Sequence, residues 1–354
     1  MDHMIDDTVT DSAYTQARKK LKHTAFKEMN TLVLHTFHEE VRLKLYKGYR
    51  LVGIDGSMIN LPDHPEVASH FGTILNTNQT GMVKHYSSAL LIACYDVLNG
   101  VCLNADLVKQ VYEASAFKTL MQQEAYQTDP QSIMIFDRGY ASHEMIDFLE
   151  SIKQPYVIRI PRHSFKPSQA MFDDDRVKDQ TVIIQGHQVR LVRIVLPTGE
   201  VEILATNVFR DLSLEDLGSI YHQRWGVETF FHLIKDRLGL ENFTGKLVES
   251  VMQDFWSTIF LCNLETSLTH ALNQELQDKP KPTQVNKCVS FHVLKHKAFD
   301  LLYGTLSEEV LDQQLRQLFL TGQTPFKRER GPTPRKRSPR RTIKHMKYRK
   351  KNVF

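Results

Sequence analysis

The sequence predicts a mixed α/β core interrupted by a run of strands, flanked by helical segments and ended by a basic tail. Three observations carry that prediction. Short apolar runs such as "RLVGID", "SIMIFD" and "PYVIRI" alternate with helical stretches over residues 49–160, the pattern of an α/β sheet. Residues 161–208 then change to alternating positions, as in "TVIIQGHQVRLVRIVLPTGEVEILATN", which reads as strands without a helix signal. Helical periodicity returns at 209–276 and ends at the Lys/Pro-rich "QDKPKPTQ".

The elements follow in order. Residues 11–47 read as helices, starting at an Asp/Ser cap and continuing through "TAFKEMNTLVLHTFHEEVRLKLY", so 1–48 is taken as a helical segment. "YRLVGIDGSMINLP" reads as a buried strand, a glycine turn and a short return strand. "HYSSALLIACYDVLNGVCLNADLV" reads as two strands joined at Asn99-Gly100, a strong hairpin signal. Then come a helix ("YEASAFKTLMQQEAYQ"), a buried strand ending at Asp137, a helix ("SHEMIDFLESIK") and a further strand ("PYVIRI"). After the strand-rich insertion, Ser213 and Asp216 mark a capped helix start. Beyond residue 277 the sequence predicts a linker, one short helical segment ("SEEVLDQQLRQLFL") and the tail.

Composition narrows the function. No apolar run approaches the ~20 residues of a membrane span, and the acidic start "MDHMIDDTVTD" is no signal peptide. A cytoplasmic setting with Cys94, Cys102, Cys262 and Cys288 as buried thiols is expected, since none has C-x-x-C spacing. The net charge of +4 is unevenly placed. Residues 327–354 hold 13 Lys/Arg against Glu329 alone, a net of +12, which leaves −8 for the rest. A block of one sign with Pro and Gly gains affinity for nucleic acid by releasing counterions from phosphates. The plainer reading is a solubilising arm.

Chemistry concentrates in "YHQRWGVETFFHLIKDRLGLENFTG", residues 221–245, which reads as one amphipathic helix. Tyr221, Arg224, Glu228 and Lys235 fall within an arc of roughly 60° at about 100° per residue. That arc borders the apolar face of Val227, Phe230, Phe231, Ile234 and Leu238. Two further acids stand at strand ends: Asp55, before a glycine, and Asp137, before Arg138-Gly139. Carboxylates converging from separate elements are what hard cations such as Mg²⁺ or Mn²⁺ require. The bland alternatives are an Asp-Gly turn at 55, an Asp137–Arg138 pair and an i,i+4 pair of Arg224 with Glu228. Asp96 and Asp106 compete as acids. No H-E-x-x-H spacing and no phosphate-binding glycine loop suggests another mechanism.

Taken together, these motifs resemble DDE transposases of bacterial insertion sequences, in the family-four branch with the signature Y-x2-R-x3-E-x6-K. Tyr221, Arg224, Glu228 and Lys235 fill it without exception, and "LIACYDVLNG", "IFDRGYAS" and "QDFWSTIFLCNLE" match as well. The resemblance implies an RNase H-like catalytic core in two parts, 49–160 and 209–276, around the β insertion at 161–208. It implies Asp55, Asp137 and Glu228 as catalytic ligands of two Mg²⁺ or Mn²⁺ ions. Tyr221, Arg224 and Lys235 would contact DNA, with Trp225 beside them. The implied activity is cleavage at transposon ends and strand transfer into target DNA by a homodimer on double-stranded DNA. Family members carry a longer stretch before "DSAYTQARKKL", so residues 1–48 are expected to be the remnant of an end-reading domain, the chain being N-terminally truncated or given a misplaced start, with a functional short form as the alternative. Residues 277–354 form the C-terminal region. A DNA-binding relic and a non-specific metal-dependent nuclease remain as alternatives.

Overall fold

The computed structural model describes residues 10–77, 83–109, 111–123, 129–304 and 306–326. The basic tail at 327–354 lies outside them. The chain divides into two compact units, one of residues 42–259 and one of residues 1–41 with 260–354. Helices α1 (Asp11–Lys20) and α2 (His23–Glu40) open the second of these, α1 capped by the Thr10 side chain rather than by Asp11 or Ser12.

The larger unit is built on a sheet. Strand β1 (Arg50–Asn60) is followed by helix α3 (Pro65–Phe71), β2 (Thr73–Thr77), β3 (Val83–Asp96) and β4 (Val101–Val108). Then come α4 (Glu113–Gln122), β5 (Ser132–Phe136), α5 (His143–Ser151), β6 (Tyr156–Ile160) and α6 (Lys166–Asp173). Strands β7 (Asp179–Ile184), β8 (His187–Val195) and β9 (Val201–Thr206) precede helices α7 (Leu214–Gln223) and α8 (Trp225–His232). Among the described residues, nine strands form one sheet in the order β2-β3-β1-β5-β6-β9-β8-β7, with β4 beside β3. Strands β1, β5 and β6 run parallel at its centre, and the remaining pairings are antiparallel.

Three sequence expectations change here. Residues 50–60 form one continuous strand, and Gly56 is not a turn: it has no positive φ and pairs with Ile92 of β3. The strand-rich stretch contains a helix, α6, whose Lys166-Pro167 start suits a first helical turn. Its strands are not separate from the core, because β9 pairs with β6 and carries β8 and β7 outward on the same sheet. The hairpin at Asn99-Gly100 forms as expected, with Gly100 at φ +76°.

Alternation divides the central strands between two cores. Val52, Ile54, Met134, Phe136 and Ile158 face α4 and α5, where Phe117, Leu120, Met145 and Leu149 cover them. Leu51, Ile133, Ile135, Val157 and Leu204 face the other way, against Leu217 and Ile220 of α7. Each fully buried side chain of this kind is worth about 1.5–3 kcal/mol. Helix α7 starts at a capping box: Ser213 Oγ accepts from Asp216 N and Asp216 Oδ2 accepts from Ser213 N. Lys47 and Tyr46 also donate to that carboxylate, and Lys47 foremost holds its pKa well below the ordinary value.

Helix α9 (Val248–Gln277) begins in the larger unit and ends in the smaller. In the smaller unit β10 (Thr283–Val285), α10 (Lys287–Tyr303), α11 (Glu308–Leu320) and β11 (Gln323–Pro325) follow. The sequence reading anticipates α11 but not α10. Asn263 donates to Asn30 at 2.8 Å, and Leu272, Leu276, Leu315 and Phe319 share a core. Cys94, Cys102 and Cys262 are buried, whereas Cys288 is exposed, contrary to expectation. No described helix is long and apolar enough to cross a membrane.

Candidate active site

Asp55 and Asp137 are brought together by sheet register. The last paired residues of β1 and β5 are Ile54 and Phe136, and each acid is the next residue along its parallel strand. Neighbouring strands lie about 4.8 Å apart, and ligands of open α/β sheets bind outside the carboxyl ends of such strands. Since Ile54 and Phe136 point into the core under α4 and α5, alternation turns Asp55 toward the face that carries α7 and α8.

The signature segment lies on that face, though not as the single helix expected over 221–245. It breaks at Arg224, where a tight turn links α7 to α8: Arg224 N donates to Tyr221 O at 3.2 Å. It then widens into a π turn over Leu233–Arg237, closed by Leu238 N donating to Leu233 O at 2.9 Å. Such π turns often occur at functional sites. Gly53 admits the segment, because a Cβ there would lie 3.4 Å from the Arg224 carbonyl oxygen and 3.1 Å from Val97 Cγ1.

Three of the four signature residues contact β1 or the residue after β5, and Arg224 ties the fourth, Glu228, to them. Arg224, only 4% exposed, donates from Nη1 to Asp55 Oδ2 at 3.3 Å and from Nη2 to Glu228 Oε1 at 2.8 Å. Tyr221 donates its hydroxyl to Asp137 Oδ1 at 3.2 Å. Lys235 donates to Ser57 Oγ at 3.2 Å and to the Met58 carbonyl at 2.7 Å, so it is anchored along β1. Trp225 is 41% exposed, with the Arg224 guanidinium 5.4 Å from its ring centroid. Asp96 and Asp106 lie elsewhere. Asp96 is buried with Arg50 and Asn99, and Asp106 accepts from Leu107 N and from Gln123.

The structure adds two residues that sequence reasoning missed. Arg159 on β6 pairs with Asp137 at 3.3 Å and donates to Glu202 at 2.6 Å. Its basic side chain inside an apolar strand was the available signal. Glu113, the first residue of α4, approaches from the opposite face of the sheet and lies against Gly56. Nothing in "YEASAF" distinguishes it from an ordinary helix-start acid.

Electrostatics separate the acids. Burial pushes Asp55 up to about 6, against the opposing pull of Arg224 and the Gly56 N–H, and Glu228 and Asp137 add repulsion. Burial likewise raises Glu113 to about 7, reinforced by Asp55 and Asp137. For Asp137 burial acts against the charge, but the Arg138 N–H, Arg159, Arg224 and Tyr221 together outweigh it and lower the pKa. Like charges so placed disfavour joint ionisation unless a cation offsets them.

Among the described residues, no three Asp, Glu, His or Cys side chains are gathered as a metal-holding group. Asp55 and Glu228 instead share the Arg224 guanidinium. The donor set nevertheless suits a hard divalent cation: it offers carboxylate oxygens from separate elements and already surrounds a positive charge.

Residues 46–264 match the family described as transposase DDE domain. The chain is similar, at 12% identity and a TM-score of 0.45, to piggyBac transposase in a synaptic complex with hairpin DNA, over 76% of this chain and 57% of that one. It is also similar, at 12% identity and a TM-score of 0.20, to Mos1 transposase in a paired-end complex with the left transposon end, over 48% of this chain and 47% of that one. The chain thus spans about half the length of these solved transposases. No curated protein matches it.

Proposed function

Because the chain belongs to the transposase DDE domain family, we propose that it cleaves phosphodiester bonds at the ends of an insertion sequence of the family-four branch and joins them to target DNA. Asp55, Asp137 and Glu228 are its catalytic acids. The observation that carries this reading is the register: Asp55 and Asp137 follow the Ile54–Phe136 pair on adjacent parallel strands, and Arg224 bridges Asp55 to Glu228.

The three acids would hold Mg²⁺ or Mn²⁺, two ions per site. When bound, such ions stabilise both the attacking and the leaving oxygen of an in-line displacement. The chain's own groups do the rest. Tyr221 and Arg159 hold the Asp137 carboxylate ionised and fixed in direction. Arg224 keeps Asp55 and Glu228 from repelling each other in the cation-free protein, and its fork geometry suits a phosphate once those acids are otherwise neutralised. Lys235, held on Ser57 and Met58 of β1 and 3.9 Å from Glu241, would offer a point charge to a DNA phosphate. Trp225, partly exposed next to Arg224, offers a face for base stacking. The partner is double-stranded DNA, bound as transposon end and as target by a homodimer, and the tail's net +12 adds affinity without base readout.

The test is strand joining. Purified protein with Mg²⁺ or Mn²⁺ and a labelled duplex carrying the DNA that flanks the gene should cut the duplex and join it to plasmid. Cutting without joining would favour a nuclease instead, and binding without cutting a relic.

A further inference from the structure

Resting on the reading above, the geometry points to Glu113 as a fourth carboxylate of the same site, which shares with Asp55 the binding of the divalent cations. The other three acids come from the middle of β1, from the residue after β5 and from α8. Glu113 comes from the helix on the opposite face of the sheet, so the cation region would be enclosed from both sides.

Close packing places it there. A Cβ built on Gly56 would fall 2.7 Å from Glu113 Cγ, 2.9 Å from Cδ and 3.0 Å from Oε1. The Glu113 side chain therefore occupies the space that any larger residue after Asp55 would fill. This accounts for a glycine inside a continuous strand, where it costs stability without a turn to justify it. Glu113 is only partly exposed, and among the described residues its carboxylate makes no ion pair and accepts no hydrogen bond. A partly buried acid beside two others, offset only by the weaker pull of Arg224, is costly unless something more positive joins it.

A second observation points the same way. Tyr140 is completely buried, yet its hydroxyl has no hydrogen-bond partner. The acids that act on it most strongly are Glu113 and Asp55. Buried hydroxyls are nearly always paired. An unpaired one within the field of two carboxylates is suited to a further polar partner, such as a water of a hydrated cation. Arg224 Nε is likewise buried without a partner beside Asp55.

The experiment is a Mn²⁺ titration of the full chain at pH 8, reading free Mn²⁺ by its electron paramagnetic resonance signal. The wild type should take up about two ions per chain. Glu113→Gln, which keeps size and shape, should lose one of them or hold it about tenfold more weakly, with an unchanged circular dichroism spectrum. Gly56→Ala removes no carboxylate but crowds Glu113 from its seat, and should weaken uptake in the same direction. Asp55→Asn serves as the reference for loss of the site. If Glu113→Gln binds Mn²⁺ like the wild type while Asp55→Asn does not, Glu113 is no part of the site and the functional reading stands. If the wild type takes up no Mn²⁺ at millimolar concentration, that reading fails, and the role of Glu113 with it.

Discussion

Arg224 reaches both Asp55, at 3.3 Å, and Glu228, at 2.8 Å, so one guanidinium bridges the middle of β1 and the first turn of α8. The bridge is buried at the arginine and about a third open at Glu228. A charge so placed stabilises the acids around it, and its removal leaves them repelling one another.

Arg224→Ala should therefore destabilise the cation-free protein by about 3 kcal/mol, the lower end for a broken buried pair because Glu228 meets water. Added Mn²⁺ should recover more stability in Arg224→Ala than in the wild type. Urea denaturation with and without Mn²⁺ measures both effects; equal stabilisation of the two proteins would mean that guanidinium and cation do not serve the same acids.

Tyr221→Phe removes one hydrogen bond to Asp137 and should cost about 1 kcal/mol at neutral pH. The folded-state pKa of Asp137 lies below its ordinary value of 3.8. Its contribution is thus complete above that value and is lost as pH falls through the folded-state pKa. The difference between wild type and Tyr221→Phe should shrink in acid, and a pH-independent difference would place the loss in packing instead.

Glu113 behaves in the opposite sense. Its pKa rises from 4.5 to about 7 on folding, so ionisation opposes the fold. The penalty is absent below 4.5, grows between 4.5 and 7, and is complete above 7. Without divalent cations, Glu113→Gln should be more stable than wild type at pH 8, by on the order of 1–2 kcal/mol after allowance for water contact, and equal to it near pH 4. Chemical denaturation at the two pH values reads the difference directly.

Much of this was legible in the sequence, and the omissions have physical causes. Period-two and apolar runs located β1, β5 and β6, and Asp137 stood at a strand end as expected. The signature helix was legible by its 3.6-residue period, but periodicity is blind to the tight turn at Arg224, where the backbone comes close to Gly53, and to the π turn at 233–237. Gly56 reads locally as a turn, because the side chain it accommodates comes from residue 113, across the sheet. Helix α6 is short and buries only Ser168 and Met171, too few contacts to impose a helical period on a strand-rich stretch. Helix α10 follows a Lys/Pro linker and is cued only at its ends, by the Asn286 cap and by Gly304 in the left-handed conformation.

Lys235 donates to the Met58 carbonyl at 2.7 Å and to Ser57. Lys235→Ala should slow DNA cleavage about tenfold, the equivalent of one charge-assisted hydrogen bond, and leave Mn²⁺ uptake unchanged. Wild-type cleavage by this variant would make the contact with β1 purely structural.

The central claim is that Asp55, Asp137 and Glu228 act together on a divalent cation, and the melting temperature tests it most directly. Mn²⁺ should raise the melting temperature of the wild type and much less that of Asp137→Asn, because a cation stabilises the fold only where converging carboxylates receive it. An equal rise in both proteins would contradict the assignment of the site.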